Sequence, residues 1–160
     1  MIIVGYQCIG KSTLANMCLK YIDLESGSFW HDGKRPDDWY IYYCQIAEHL
    51  SKQGYNVFVS SHEPVRKFLK NSSERVIAIA PSIELKDQWI EKLKNRYEAS
   101  KLDKDYRAYM NAVDRYTENI KEIAKDCDTV FIRSMTYDIE SLIEAHLDMA
   151  KCSSTIFDGI

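Results

Sequence analysis

The chain has 160 residues, 46% of them hydrophobic and 28% charged, with a net charge of −3. That composition suits one domain around one buried core, and it excludes a broadly basic surface for nucleic acid or membrane. No apolar run approaches the roughly 18 residues of a membrane span, and Lys11 interrupts the opening apolar stretch where a secretory signal would continue, so the expected compartment is the cytoplasm.

Met1-Ile2-Ile3-Val4 reads as a short buried strand. Gly5-Tyr6-Gln7-Cys8-Ile9-Gly10-Lys11-Ser12 follows, and Thr13 to Lys20 has helical spacing with Leu14, Ala15, Met17, Cys18 and Leu19 facing the sheet. G-x-x-x-x-G-K-S between a strand and a helix is a phosphate-binding loop. Glycines let the backbone turn its amides inward, the helix N-terminus adds partial positive charge, and polyphosphate is held largely by main chain. Lys11 is expected to reach the β- and γ-phosphates, Ser12 to ligate Mg²⁺, and Gly5 to Thr13 together to form the ATP site.

Tyr21 to Ser26 alternates like a second strand, with Asp23 and Glu25 on one side. Either acid is a candidate to hold Mg²⁺ through water or to accept a hydroxyl proton, against the plainer reading of a solvated strand end. Gly27 to Asp38 reads as a surface loop in which Phe29, Trp30 and nearby Trp39 offer stacking faces and Lys34 and Arg35 phosphate donors. A helix follows from Trp39 to Gln53, with Tyr40, Tyr43, Ile46, Ala47 and Leu50 on its apolar face, stopped by Gly54.

Asn56 to Ser61 is a continuous apolar third strand running into Ser61, His62 and Glu63, with Pro64 opening a helix through Lys70. Ser60, Ser61, His62 and Arg66 are ligand candidates, because open parallel sheets bind ligands beyond their carboxyl ends. Arg75 to Ala80 is the fourth strand, closed by Pro81. Ser82 then caps a helix from Ile83 to Ser100 with Leu85, Trp89, Ile90, Leu93 and Tyr97 as its stripe. Lys101 to Asp105 reads as a charged turn and Tyr106 to Lys125 as a second helix, so that Arg96, Arg107 and Arg115 sit on a hairpin able to close over phosphates. Thr129 to Arg133 is the fifth strand, Asp138 to Lys151 the last helix, and Ser153 to Ile160 a loose end. Five cysteines without a C-x-x-C pair read as reduced thiols. Alternating strands and helices predict an α/β fold with a parallel sheet and helices on both faces, one domain over 1–160.

Over almost its whole length the chain resembles the P-loop nucleoside and nucleotide kinases, and the nucleoside monophosphate kinases most closely. Ile79-Ala80-Pro81-Ser82 with Leu85, Leu93, Arg96 and Arg107-Ala108 looks like the lid-arm region of guanylate kinases. Asp128 to Ile132 with Asp138-Ile139-Glu140 resembles their last strand and helix. The phosphate loop followed by Ile22-Asp23-Leu24-Glu25-Ser26 is similar to small adenylate-kinase-like proteins, often of phage type. The resemblance implies a five-stranded sheet in the order 2-3-1-4-5 and a lid arm at about 94–110. It also implies Mg²⁺-dependent transfer of the ATP γ-phosphoryl group to a nucleoside monophosphate, deoxynucleotides included. Catalytic candidates are Lys11, Asp23, Arg96 and Arg107; metal candidates are Ser12 and Asp23. Glu25, Trp30, Arg35, Ser61, His62 and Arg66 are the acceptor-site candidates. The guanine-selective segment of guanylate kinases is missing, and strand three ends Ser60-Ser61-His62 instead of Asp-Gly, so the acceptor stays open. The alternatives are a nucleotide-binding switch with little activity and a kinase for a nucleoside or nucleic-acid end. The weak net charge argues against nucleic acid as a partner.

Overall fold

The computed structural model describes residues 1–157, with side chains described through Lys151. Strand β1 (Ile2–Gly5) lies at the centre of a sheet, between β3 (Asn56–Ser60) and β4 (Val76–Pro81). Edge strands β2 (Tyr21–Asp23) and β5 (Thr129–Ile132) complete the parallel order β2-β3-β1-β4-β5. The three central strands are the uninterrupted apolar runs, as a sheet covered on both faces requires. Ile2, Ile3, Val4, Val57, Phe58, Val59, Ile77, Ala78, Ile79 and Ala80 are all fully buried.

The connections fix where a ligand can sit. The chain leaves β1 towards β2 but leaves β3 in the opposite direction, towards β4. The sheet therefore reverses between β1 and β3, and a crevice opens beyond the carboxyl ends of those two strands. Gly5 and Ser60 are register partners at that end.

Helix α1 (Lys11–Met17) is shorter than its spacing suggested: the chain turns extended at Cys18. Met17 and Leu19, expected against the sheet, are exposed by 80% and 94%. β2 likewise ends at Asp23, and Ser26–Phe29 forms a 3₁₀ turn, so Glu25 lies beyond the strand rather than beside Asp23 on it. Helix α2 (Trp39–Lys52) buries Trp39, Tyr43, Cys44 and Ala47, a face turned from the predicted one: Ile46 is exposed. Helix α3 (Glu63–Leu69) carries Pro64 in its first turn.

After β4, Ser82 leads into a 3₁₀ turn at Ile83–Leu85 before helix α4 (Lys86–Ser100) begins. Lys101, in the left-handed region at φ 57°, reverses the chain, and α5 (Asp103–Asp126) starts earlier than predicted. α5 breaks at Arg115 (φ −136°, ψ 21°). Its second half packs Tyr116, Ile120 and Ile123 into the core, while its first half and α4 form an arm beside the crevice. Helix α6 (Ile139–Phe157) continues through part of the segment expected to be loose; 158–160 and the side chain of Cys152 lie outside the described residues. Cys8, Cys18, Cys44 and Cys127 are free thiols. Among the described residues no helix is long and apolar enough to cross a membrane.

Candidate functional site

The Gly5-to-Ser12 loop occupies the carboxyl end of β1 and enters α1. Cys8 at φ 66° and Gly10 at φ 103° adopt the left-handed region that alternating amide-inward loops require. Gly5 serves a different purpose from the one its motif suggests. Its φ is not positive; a Cβ there would stand 2.6 Å from Lys11 Cδ and 3.0 Å from Ile9 Cδ1. Gly5 therefore makes room for the lysine stem. Lys11 Nζ folds back to donate to Gly5 O at 3.1 Å and Tyr6 O at 3.4 Å. Burial holds this ammonium below the usual lysine range, opposed by the carboxylates of Asp23 and Glu25. An incoming anion would relieve that cost. Tyr6 is not presented to the cleft: its N–H goes to Ile79 O and its ring packs edge-on against Tyr116. Ile9 also buries its side chain.

Ser12, one residue into α1, donates its hydroxyl to Asp23 Oδ2 at 2.5 Å. Among the described residues no cluster of three or more His, Cys, Asp or Glu could cage a metal. A serine hydroxyl and one carboxylate instead match the way Mg²⁺ is bound, through one or two protein oxygens with water and phosphate completing the shell. Tyr43 fixes the wall behind Asp23. Its hydroxyl donates to Leu24 O at 2.7 Å and accepts from the Ser60 amide at 2.9 Å, joining the ends of β2 and β3.

These groups open onto a cleft of about 1070 Å³. Six cations line it, Lys11, Arg35, Lys92, Arg96, Lys104 and Arg107, against the carboxylates of Asp23, Glu25 and Asp105. The cleft is thus locally positive in a chain whose net charge is −3. Arg96 is oriented by Asp105, Nε to Oδ1 at 2.9 Å, and the buried Asp105 also accepts from Ser100 at 2.6 Å. In the cleft lining, Arg35 stacks over Trp39 at 4.2 Å and Trp30 at 5.0 Å, and Arg107 from α5 lies over Trp30 at 5.3 Å. The buried Arg35 Nε and Gln7 Oε1 have no partner within the protein, which leaves them for water or a ligand.

His62 lines the cleft, its Nδ1 2.8 Å from Ser60 Oγ and its ring edge-on to Trp39. Packing against the cleft wall, then the charges of Arg35, Lys11 and Arg66, push its pKa down to about 4. Ser61 sits in an adjoining recess of about 310 Å³ beside Asn111, Arg115 and Asn119. Arg66 also borders that recess, but its guanidinium is committed. It holds Asp126 at 3.0 Å and Glu122 at 3.5 Å and donates to Ser61 O. Only 4% of Arg66 is exposed, so it ties α3 to α5 instead of offering itself to a substrate.

The structure therefore gathers Gln7 to Thr13, Asp23, Glu25, Trp30, Arg35, His62, Arg96 and Arg107 around one cleft. Ser60, a ligand candidate from its place at the end of β3, lines the same cleft, and the structure adds Lys92, Lys104 and Asn111, which carry no motif and lie on helices. No protein-family model and no curated protein matches the chain, so the reading of function rests on the site itself.

Proposed function

We propose that the chain binds Mg·ATP at the phosphate loop and transfers the γ-phosphoryl group to a nucleoside monophosphate. The observation that carries this reading is the meeting of Lys11, Ser12 and Asp23 at the mouth of a cation-lined cleft. Phosphoryl transfer requires positioning and charge neutralisation more than covalent chemistry, and those are what this cleft offers.

The loop amides and Lys11 would grip the triphosphate, and Ser12 and Asp23 would hold the metal. Bound with the nucleotide, Mg²⁺ supplies neutralising charge across the phosphate oxygens. Arg96, already oriented by Asp105, and Arg107 would offset charge on the transferring group. The acceptor would lie against Trp30, Arg35 and His62, where aromatic faces suit a base and guanidinium suits a phosphate.

A second reading draws on the carboxylates. Asp23 and Glu25 both face the cleft, and a nucleoside hydroxyl acceptor would need a base where an anionic phosphate does not. Coupled ADP release across nucleoside monophosphates, deoxynucleotides and nucleosides separates the two. Turnover of monophosphates alone supports the first; turnover of nucleosides supports the second. Tight Mg·ATP binding without any turnover leaves a nucleotide-binding switch and refutes both.

A further inference from the structure

We propose that Trp89 and Tyr137 are positioning residues for the phosphate loop, holding two of its peptide planes so that their amides face the ligand. The proposal rests on the phosphate-binding reading above and extends it to two side chains outside the motif.

Trp89, fully buried on α4, donates its Nε1–H to Gln7 O at 3.0 Å. Tyr137, in the segment between β5 and α6, donates its hydroxyl to Ile9 O at 2.9 Å. Within a planar trans peptide the carbonyl and the following N–H point in opposite directions. Anchoring Gln7 O therefore turns the Cys8 amide away from Trp89, and anchoring Ile9 O turns the Gly10 amide away from Tyr137. Gln7 to Gly10 line the cleft and neither Trp89 nor Tyr137 does, so amides turned away from the two anchors are turned towards the cleft. The left-handed backbone at Cys8 and Gly10 fits the same arrangement.

The two anchors form one unit. Their rings stack at 6.1 Å with 30° between planes. Lys92, one turn beyond Trp89, donates to the Tyr137 hydroxyl at 2.9 Å and lies over the Trp89 ring at 4.4 Å. With the ammonium donating to it, the Tyr137 oxygen is polarised, and its own O–H is a stronger donor towards Ile9. The hydrogen bonds that shape an anion site thus come from the arm and from the segment before α6, and donors held in place before binding need no reorganisation when the anion arrives.

The test is titration calorimetry with inorganic tripolyphosphate and with Mg·ADP, on the full chain and on Tyr137→Phe, which keeps the ring stack and removes one hydroxyl. The expected result is binding by the parent chain, about 5- to 10-fold weaker binding of both ligands by the variant, and little change in melting temperature. In amide spectra, the shifts that tripolyphosphate induces at Cys8 and Gly10 should shrink in the variant. Equal affinity in the two proteins overturns the positioning role and leaves the proposed function standing. A variant that melts far below the parent also overturns it, because the hydroxyl would then be a fold contact. No tripolyphosphate or Mg·ADP binding by the parent chain refutes the phosphate-binding reading and this inference with it.

Discussion

Ser12 and Asp23 meet at 2.5 Å although the strands that lead to them are not neighbours. β3 lies between β1 and β2, and Asp23 pairs in register with Phe58 of β3. The contact exists because α1 starts at Lys11, directly after Gly10, and packs against β2, while β2 stops at Asp23, which lines the cleft. Asp23→Asn keeps the hydrogen bond's shape and removes the charge. We expect kcat to fall by about 10²-fold or more, with saturation displaced to higher Mg²⁺. Steady-state rates across a Mg²⁺ titration check this, and an unaltered Mg²⁺ dependence would refute the metal role of Asp23.

Gly5→Ala tests why the first motif glycine is there. The new methyl would enter the space of Lys11 Cδ at 2.6 Å and Cγ at 3.2 Å, so the lysine stem must move. Backbone strain is not the cause, because Gly5 does not need a positive φ. Overpacking of this kind costs about 1–3 kcal/mol of stability. Nucleotide affinity should fall in addition, since Lys11 would be displaced from the loop. Melting curves and binding titrations measured side by side decide it; normal affinity would mean that the ammonium finds the phosphates from another rotamer.

The single strands and the loop were legible in the sequence because each is a local pattern, whereas the order of the strands was implied only by a family resemblance. Apolar runs name the buried central strands, and the glycine-lysine spacing names the turn that follows the first. The partners of that turn were less legible. Trp89 reads as one more apolar position on a helical stripe, and nothing in the spacing distinguishes its indole N–H donating to Gln7 O. Tyr43 is hidden in the same way, as an aromatic on an amphipathic face whose hydroxyl joins two strand ends. Helix faces were off where aromatic residues surround the axis: α2 has apolar residues on more than one side, so packing, not periodicity, chose between Ile46 and Cys44. Arg66 misled because a cation just past a strand end looks free until α5 brings Asp126 and Glu122 against it.

Arg66→Met separates a structural arginine from a ligand-binding one. Asp126 has a side chain only 9% exposed and depends on Arg66 and Lys70 for partners. Burial pushes the Asp126 carboxyl up, but the hydrogen bonds from Lys70 and Arg66 outweigh it and hold the group below its ordinary value. Removing one cation leaves the carboxylate partly unpaired, for which about 3 kcal/mol of lost stability is expected. The folded variant should keep its KM for the acceptor. A raised KM with unchanged melting would instead place Arg66 at the substrate.

His62 gives the cleft a pH signature. Unfolded, its imidazole titrates near 6.5; in the fold, desolvation against the cleft wall and the positive charges of Arg35, Lys11 and Arg66 lower that value to about 4. As pH falls below 6.5, the unfolded chain takes up a proton that the folded chain refuses, so stability declines from about 6.5 towards 4 and is undiminished above 6.5. His62 as a residue keeps part of its surface exposed, and screening there keeps the effect on stability modest. Bound polyphosphate would bring negative charge close to His62 and raise its pKa, so binding at mildly acid pH should take up a proton. Titration of the His62 ring proton with and without Mg·ADP checks both signs. The free protein should show a midpoint well below 6.5 and the complex a higher one, while His62→Gln should flatten the acid side of the stability curve. An ordinary midpoint in the free protein, unmoved by nucleotide, would mean that neither burial against the cleft wall nor the three cations act on this ring.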